Sequence, residues 1–472
     1  MAAFADKFSR LAALQPAHHS GSALNSGTPR TTVAPHARTP RDPCEEDTLA
    51  RLLGAGVSRN RFGEHLAVRN WYASPEFAQP SEMALEILSR TRDEVQSRKT
   101  RAALSDPEKW LFLDTETTGL AGGTGTYAFL VGLGWWDAGG LQVEQLFMRD
   151  FTEECSVLCA LAARLAERPV LVTYNGKTFD WPLLESRFTM TRSLVVPALA
   201  AHLDLLHPAR AVWKLRLGSV RLADVERHVL NPAKLGWDRD DDTASAMIPQ
   251  YYFDYLRGGP PEPLLGIARH NQMDLRGLAA LYGKLDALIS TELPDAGSVD
   301  GRDLLGLSRY LQRRGHRERA QTVCTQALDF GLPHEVRPQA RRELALHAKR
   351  RGEHERAAEL WHEIVRGDVS EDVHACEQLA IHYERRAKNH ERALEFAQLA
   401  LAELRKVRLL NSRLPSGHYA GAFPGFMAVK SSGGREARLE KSLLKRVARL
   451  ERRLARRSAT APLLGAIEAA KH

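Results

Sequence analysis

The triplet Glu-Arg-Ala begins at residues 318, 355 and 391 of this 472-residue chain, at intervals of 37 and 36. Each copy lies in a matching phrase: GHRERAQTVCTQAL from Gly315, GEHERAAELWHEIV from Gly352 and KNHERALEFAQLAL from Lys388. Each phrase follows a segment of mixed basic and apolar residues, LSRYLQRR, LALHAKRR or LAIHYERR. A period in the mid-thirties with two helical segments per unit constrains folding strongly. One helix pair cannot bury its own apolar face, so neighbouring pairs must stack. Ala320, Ala357 and Ala393 are small enough to let the two helices of each pair approach closely.

The repeats resemble tetratricopeptide repeats, with irregular repeat lengths, over about residues 303–405. The resemblance implies an all-α solenoid, expected over 303–407, that binds a protein partner or guides a substrate. A Gly-, Pro- and Ser-rich insertion (408–434) interrupts the array. It is followed by a helix at 435–457 and a tail at 458–472. In that helix ten Lys or Arg face three Glu, while Leu439, Leu443, Val447, Leu450 and Leu454 form one apolar stripe. A helix capping the solenoid with a solvated basic face is the first reading, and a phosphate-contacting arm the second.

Upstream the pattern changes. Residues 1–45 are rich in Pro, Ser, Thr, Gly and His and are expected to be disordered. Residues 46–105 read as a partly helical N-terminal extension, with a helix around Ser81–Ser97. Nothing approaches the roughly 18 apolar residues of a membrane span, and the first residues lack the apolar run of a secretory signal. A cytoplasmic protein without membrane contact is the expectation. The five scattered cysteines read as reduced thiols. A net charge of +8 permits nucleic-acid binding without demanding it.

From Trp110 the periodicity becomes that of strands. WLFLD, Thr126–Asp137 and Leu141–Asp150 read as three strands, the last two joined by a turn at Ala138-Gly139-Gly140. A helix follows and stops at Pro169. Val170–Asn175 reads as a strand, and another is expected in LAAHLDLLH. Segments near 219–230, 243–256 and 262–287 read as helices. This is a mixed α/β domain over 106–289, with a turn-rich linker at 290–302.

Within this domain acids recur at structural ends. Asp114 and Glu116 are two apart on a strand and so share a face. Asp180 lies just beyond VLVTYN, at a helix entry. His270 and Asp274 are four apart on a helix, hence on one face. Asp-x-Glu alone is commonplace. Four acids from three segments are not, because converging carboxylates repel unless cations sit among them. All-oxygen ligand sets suit Mg²⁺ or Mn²⁺, and two such ions can support phosphodiester cleavage.

The wider phrases FLDTETTGLAGGTGTYAFLVGLG, VTYNGKTFDWPLLESRF, HLDLLHPARAVWKLRLGSVRLADVERHVL, IPQYYFDYLRGG and ARHNQMDLRGLAAL resemble the YprB-like branch of the DEDD exonuclease superfamily over roughly 110–288. The resemblance implies an RNase H-like fold with a five-stranded mixed sheet flanked by helices. It also implies 3′–5′ exonuclease chemistry on DNA or RNA. By it, Asp114, Glu116, Asp180 and Asp274 hold two Mg²⁺ or Mn²⁺ ions. In that superfamily the third motif carries a His five residues before its Asp, or a Tyr four before. Here a His occupies the Tyr spacing. His270 is either a general base or a structural histidine.

The same resemblance implies that the backbone of Thr117, Thr118 and Gly119 lies near the terminal nucleotide; the alternative is a tight turn. Asn175 is either a substrate contact or a turn residue, and Lys177 is a candidate phosphate contact. AGGTG (121–125) lacks the Gly-Lys-Ser/Thr of a phosphate loop and reads as a hairpin turn. Asp204 reads as a helix cap or a support for the metal site. Asp240–Asp242 reads as a solvated loop. The aromatic residues Tyr251, Tyr252, Phe253 and Tyr255 read first as core and second as base-stacking residues. The alternative to an exonuclease is a non-catalytic scaffold that binds nucleic acid or protein through the same fold and repeats.

Overall fold

The computed structural model describes residues 48–77, 79–89, 98–119, 125–237, 239, 243–291, 299–367, 372–413 and 433–469. The readings of residues 1–45, 121–124, Asp240–Asp242 and most of the 408–434 insertion fall outside them.

One sheet organises the first half of the chain. Its strands are β1 (Gly56–Asn60), β2 (Gly63–Tyr72), β3 (Trp110–Thr117), β4 (Ala128–Asp137), β5 (Gly140–Phe147), β6 (Val170–Thr173) and β7 (Ala201–Asp204). They are ordered β1-β2-β5-β4-β3-β6-β7. Pairing is antiparallel from β1 through β3 and parallel from β3 to β7. The sheet is therefore mixed, as expected, but has seven strands instead of five. The additional pair, β1 and β2, comes from the segment read as a partly helical extension. Their polar-rich sequences GVSRN and GEHLAVRNWY carry a weak apolar alternation, with His65, Leu66 and Val68 the buried positions. β2 joins the sheet because β5 offers it a free edge over seven paired residues, Leu66 to Tyr72. The β4–β5 turn falls where the sequence places it. Ala138 and Gly139 both have positive φ, the conformation of a two-residue hairpin loop.

The helices are α1 (Thr48–Leu53), α2 (Glu82–Ser89), α3 (Arg98–Leu104), α4 (Glu154–Glu167), α5 (Asp180–Thr191), α6 (Leu206–Leu217), α7 (Leu222–Val225), α8 (Pro232–Leu235), α9 (Ile248–Leu256) and α10 (Glu262–Ser290). A single π-helical turn, Glu226–Leu230, follows α7. Helix α6 had no counterpart in the sequence reading. Alternation along β3 sends Phe112 to one core with Leu275, Leu278 and Leu285 of α10. It sends Leu111 and Leu113 to the other, with Leu161 of α4 and Leu184 and Phe188 of α5. Helices on both faces of a buried sheet explain why β3, β4 and β6 read as nearly unbroken apolar runs.

Beyond the sheet domain the described chain is helical. Three pairs follow: α11 (Gly301–Arg314) with α12 (Arg317–Asp329), α13 (Arg337–Arg351) with α14 (His354–Val365), and α15 (Val373–Arg385) with α16 (His390–Arg413). Each Glu-Arg-Ala opens the second helix of its pair. Ala320, Ala357 and Ala393 are all buried. The long α17 (Gly433–Ala469) buries Leu443 and Leu450, with Leu439 and Val447 partly buried beside them. Not all of its basic residues face solvent: Arg446 and Arg449 both donate to the buried Glu384 of α15. No helix among the described residues is long and apolar enough to cross a membrane.

The helical array and the sheet domain share one core. Helix α11 packs against α6, where Arg216 forks onto Asp303 through Nε at 2.8 and 2.9 Å. A Cβ on Gly306 would lie 2.3 Å from the carbonyl oxygen of Val212. Gly306→Val is therefore expected to cost at least about 1–3 kcal/mol through overpacking. Thermal melting together with limited proteolysis at the junction checks this.

Candidate active site

The acids gather at the C-terminal ends of β3 and β6 and on the facing side of α10. Asp114 and Glu116 project from β3 toward α10, on the same face as Phe112. Thr115 points the other way, where α5 begins, and its hydroxyl donates to Asp180 Oδ1 at 2.5 Å. Asp274 lies on α10, and His270 one turn earlier places its Nε2 3.7 Å from Asp274 Oδ2. All five predicted catalytic residues are thus brought to one region.

Electrostatics show how crowded that region is. The Asp114 carboxyl is pushed well above the usual carboxylate range, first by burial and then by Asp274, Glu116 and Asp180. Burial also raises Asp180, to about 6, against the lowering effect of Thr115. Among the described residues, however, no three such groups already surround one point closely enough to hold a metal ion. Protein donors hold three of the acids: Asn271 on Asp114, Thr115 on Asp180 and Arg239 on Asp274. The donor set is all carboxylate oxygen and carries excess buried negative charge, which fits hard divalent cations.

Asp114 ends a one-way chain of hydrogen bonds. Tyr72 Oη on β2 donates to Gln272 Oε1 (3.0 Å), and Gln272 Nε2 to Gln145 Oε1 (2.7 Å). Gln145 Nε2 donates to Asn271 Oδ1 (2.8 Å), and Asn271 Nδ2 to Asp114 Oδ2 (2.8 Å). Every donor and acceptor points the same way, so the amides of Gln145 and Asn271 have one orientation each. The unforeseen strand β2 therefore helps to position a predicted site residue. Asn271 stands three residues before Asp274, a helical spacing that shares its face. That spacing was the available signal for it.

The loop before Asp180 is tied down by Asp204 at the end of β7. Asp204 Oδ1 accepts from the backbone N–H of Asn175 (2.8 Å) and of Leu206 (3.1 Å), and Oδ2 from that of Lys177 (3.2 Å). Asn175 takes a left-handed backbone conformation, φ 68°, which makes it a turn residue. Asp204 thus both caps α6 and supports the site. Asp204→Ala is expected to leave three backbone donors unpaired and to loosen this loop, at a cost of about 1–3 kcal/mol. Thermal melting and amide hydrogen exchange of residues 174–179 check the prediction.

Other candidates divide. Lys177 and Phe179 are exposed beside Asp180. The Thr118 hydroxyl accepts from Tyr127 N–H at 2.9 Å, and the Thr117 hydroxyl donates to Gly119 C=O at 2.9 Å, so both serve the turn after β3. Tyr252 and Tyr255 are buried. Tyr252 stacks on Phe129 and donates to Met148 C=O, so Tyr252 and Tyr255 are core, while Tyr251 and Phe253 are half-buried.

Two charged residues escaped the sequence reading. Glu226, in the π-helical turn, has no exposed surface. Burial pushes its carboxyl up to about 7, against Arg239. Arg239 donates to Glu226 through Nε (2.5 Å) and Nη2 (2.9 Å), and the same Nη2 also donates to Asp274 Oδ1. Arg276 supports this corner by donating to Leu235 C=O and stacking between Tyr72 and Trp237. In the sequence, Glu226 hides in a helical run of mixed charged and apolar residues and Arg239 in an acidic one.

A family model described as RNase_H_2, of the RNase_H superfamily, matches residues 111–286. That span runs from β3 to α10 and encloses all four acids. The uncharacterized protein YprB of Bacillus subtilis (strain 168) is 30% identical over 295 residues, covering 62% of this chain and 69% of YprB. The chain belongs to the YprB family. Its sheet domain is RNase H-like, and the YprB match is longer than the match to the RNase_H_2 model. A solved structure of the family B DNA polymerase from the hyperthermophilic archaeon Pyrobaculum calidifontis aligns at 15% identity and a TM-score of 0.31. The alignment covers 52% of this YprB-family chain and 29% of the polymerase, too loose a likeness to bear on the site.

Proposed function

We propose that this YprB-family protein is a divalent-metal-dependent 3′–5′ exonuclease acting on DNA or RNA. The observation that carries this is the pressure on Asp114: its carboxyl is raised by desolvation and by three other acids, Glu116 of its own strand and Asp180 and Asp274 from two further segments. Such an arrangement is costly without a cation. The RNase_H superfamily match over the same residues supports the nuclease class. The DEDD assignment and the polarity rest on the motif resemblance.

In this reading Asp114, Glu116, Asp180 and Asp274 hold two Mg²⁺ or Mn²⁺ ions. When bound, these ions neutralise charge on the phosphodiester and favour its attack by water. The chain's own residues do the rest. Asn271 fixes the Asp114 carboxylate, and Thr115 orients Asp180. His270, against Asp274, takes the proton of the attacking water. Lys177 and the exposed ring of Phe179 meet the phosphate and base of the terminal nucleotide. Thr117, Thr118, Gly119 and Asn175 contribute backbone shape there. The helical pairs act as tetratricopeptide-like repeats that recruit a protein partner or guide the strand.

One observation favours the second reading, a non-catalytic scaffold: Arg239 already neutralises Asp274. A single panel separates the two. It uses end-labelled DNA and RNA oligonucleotides, single- and double-stranded, with Mg²⁺ or Mn²⁺, and wild type against Asp114→Asn. Stepwise shortening from the 3′ end by wild type alone supports the exonuclease. Absence of metal-dependent cleavage of any substrate rejects it.

A further inference from the structure

We propose that Arg239 is an internal counter-cation of the acidic site: it sits on Asp274 in place of a divalent ion, and ion binding requires it to withdraw onto Glu226. The inference rests on the metal-site reading above. It is carried by the geometry of one fork. Arg239 holds Glu226 through two nitrogens and reaches Asp274 with one of those same two. Its side chain is 9% exposed and that of Glu226 1%, so both groups are largely shielded from water. The Asp274 side chain is 18% exposed. Asp274 is thus the more open end of the fork, and a cation from solvent competes for it there.

The two carboxylates are not equivalent partners. Glu226 is wholly enclosed and needs the guanidinium at all times, since an unpaired buried charge is severely unfavourable. Asp274 needs a cation but not this one. A divalent ion that takes Asp274 leaves the Arg239–Glu226 pair intact and removes only the third contact. Arg239 and the ion are then mutually exclusive ligands of one carboxylate. The coupling between them is unfavourable and lowers apparent ion affinity. Arginine suits this role because its planar fork serves two carboxylates at once.

The test is Mn²⁺ titration of the full chain, followed by electron paramagnetic resonance of the free ion. Wild type is compared with R239Q, R239K, E226Q and D114N. Removing the competitor is expected to tighten Mn²⁺ binding in R239Q by about fivefold or more. E226Q, whose arginine loses the Glu226 charge but keeps that of Asp274, is expected to bind Mn²⁺ more weakly than wild type. A merely structural Arg239 predicts the opposite for R239Q, since disorder at the site weakens binding. R239K keeps a cation against Glu226 and the buried charge balance but cannot fork, so it shows the tightening even if R239Q does not fold. Unchanged or weaker binding in the folded arginine variants overturns the inference, while Mn²⁺ binding by wild type that is lost in D114N leaves the metal site standing. No Mn²⁺ binding by any variant overturns both.

Discussion

Asp114→Asn is expected to abolish metal-dependent cleavage while making the metal-free protein more stable. The two effects have one cause. Asp114 is half-buried beside Asp274, Glu116 and Asp180, and its carboxyl is raised by desolvation and by all three. Removing its charge relieves that repulsion, keeps the shape and still allows Asn271 a partner. The expected gain in melting temperature is about 2–5 °C. The expected loss of turnover is about 10²–10³-fold or more, the usual effect of deleting one preorganised electrostatic group.

The pH dependence of the wild type follows with a definite sign. Asp180 is raised to about 6 and Asp114 is raised as well. Between the ordinary carboxylate value and these, the native state holds more protons than the unfolded chain. Stability of the metal-free protein therefore falls as pH rises through about 6. On the proposed function, divalent ions bind the deprotonated acids and oppose that fall. The stabilisation by Mg²⁺ is thus expected to be small at pH 5 and large at pH 8, and nearly flat in Asp114→Asn. Calorimetric melts at several pH values, with and without Mg²⁺, check both statements. A variant that melts lower than wild type without metal would remove the repulsion argument.

The second large effect is expected at Gly277→Ala. In a helix interior this exchange ordinarily stabilises by about 1 kcal/mol. Here the sign reverses. A Cβ on Gly277 would lie 1.8 Å from Glu226 Oε1. Glu226 can approach α10 this closely only because no side chain stands there. Displacing it breaks the buried pair with Arg239, which costs about 3–5 kcal/mol. Urea denaturation gives the size of the loss. A neutral or stabilising result would show that Glu226 relocates without penalty and that its pairing is incidental.

The sequence alone carried the local half of this protein. Alternation along WLFLDTET put Asp114 and Glu116 on one face. Helical spacing paired His270 with Asp274. The recurrence of Glu-Arg-Ala located three helix pairs and their small contact residues. These are short-range facts, set by the periods of strand and helix, and they survive into the folded state unchanged. What the sequence did not determine is long-range. Strands β1 and β2 carry little alternation and exist because β5 has a free edge to pair with. Tyr72 reaches Asp114 only through three residues from two other elements, α10 and β5. Glu226 and Arg239 gained their role from burial beside Asp274, which no spacing encodes. A buried charge is defined by the partners that tertiary packing brings to it, and those partners are 13 residues apart in one case and 35 in the other.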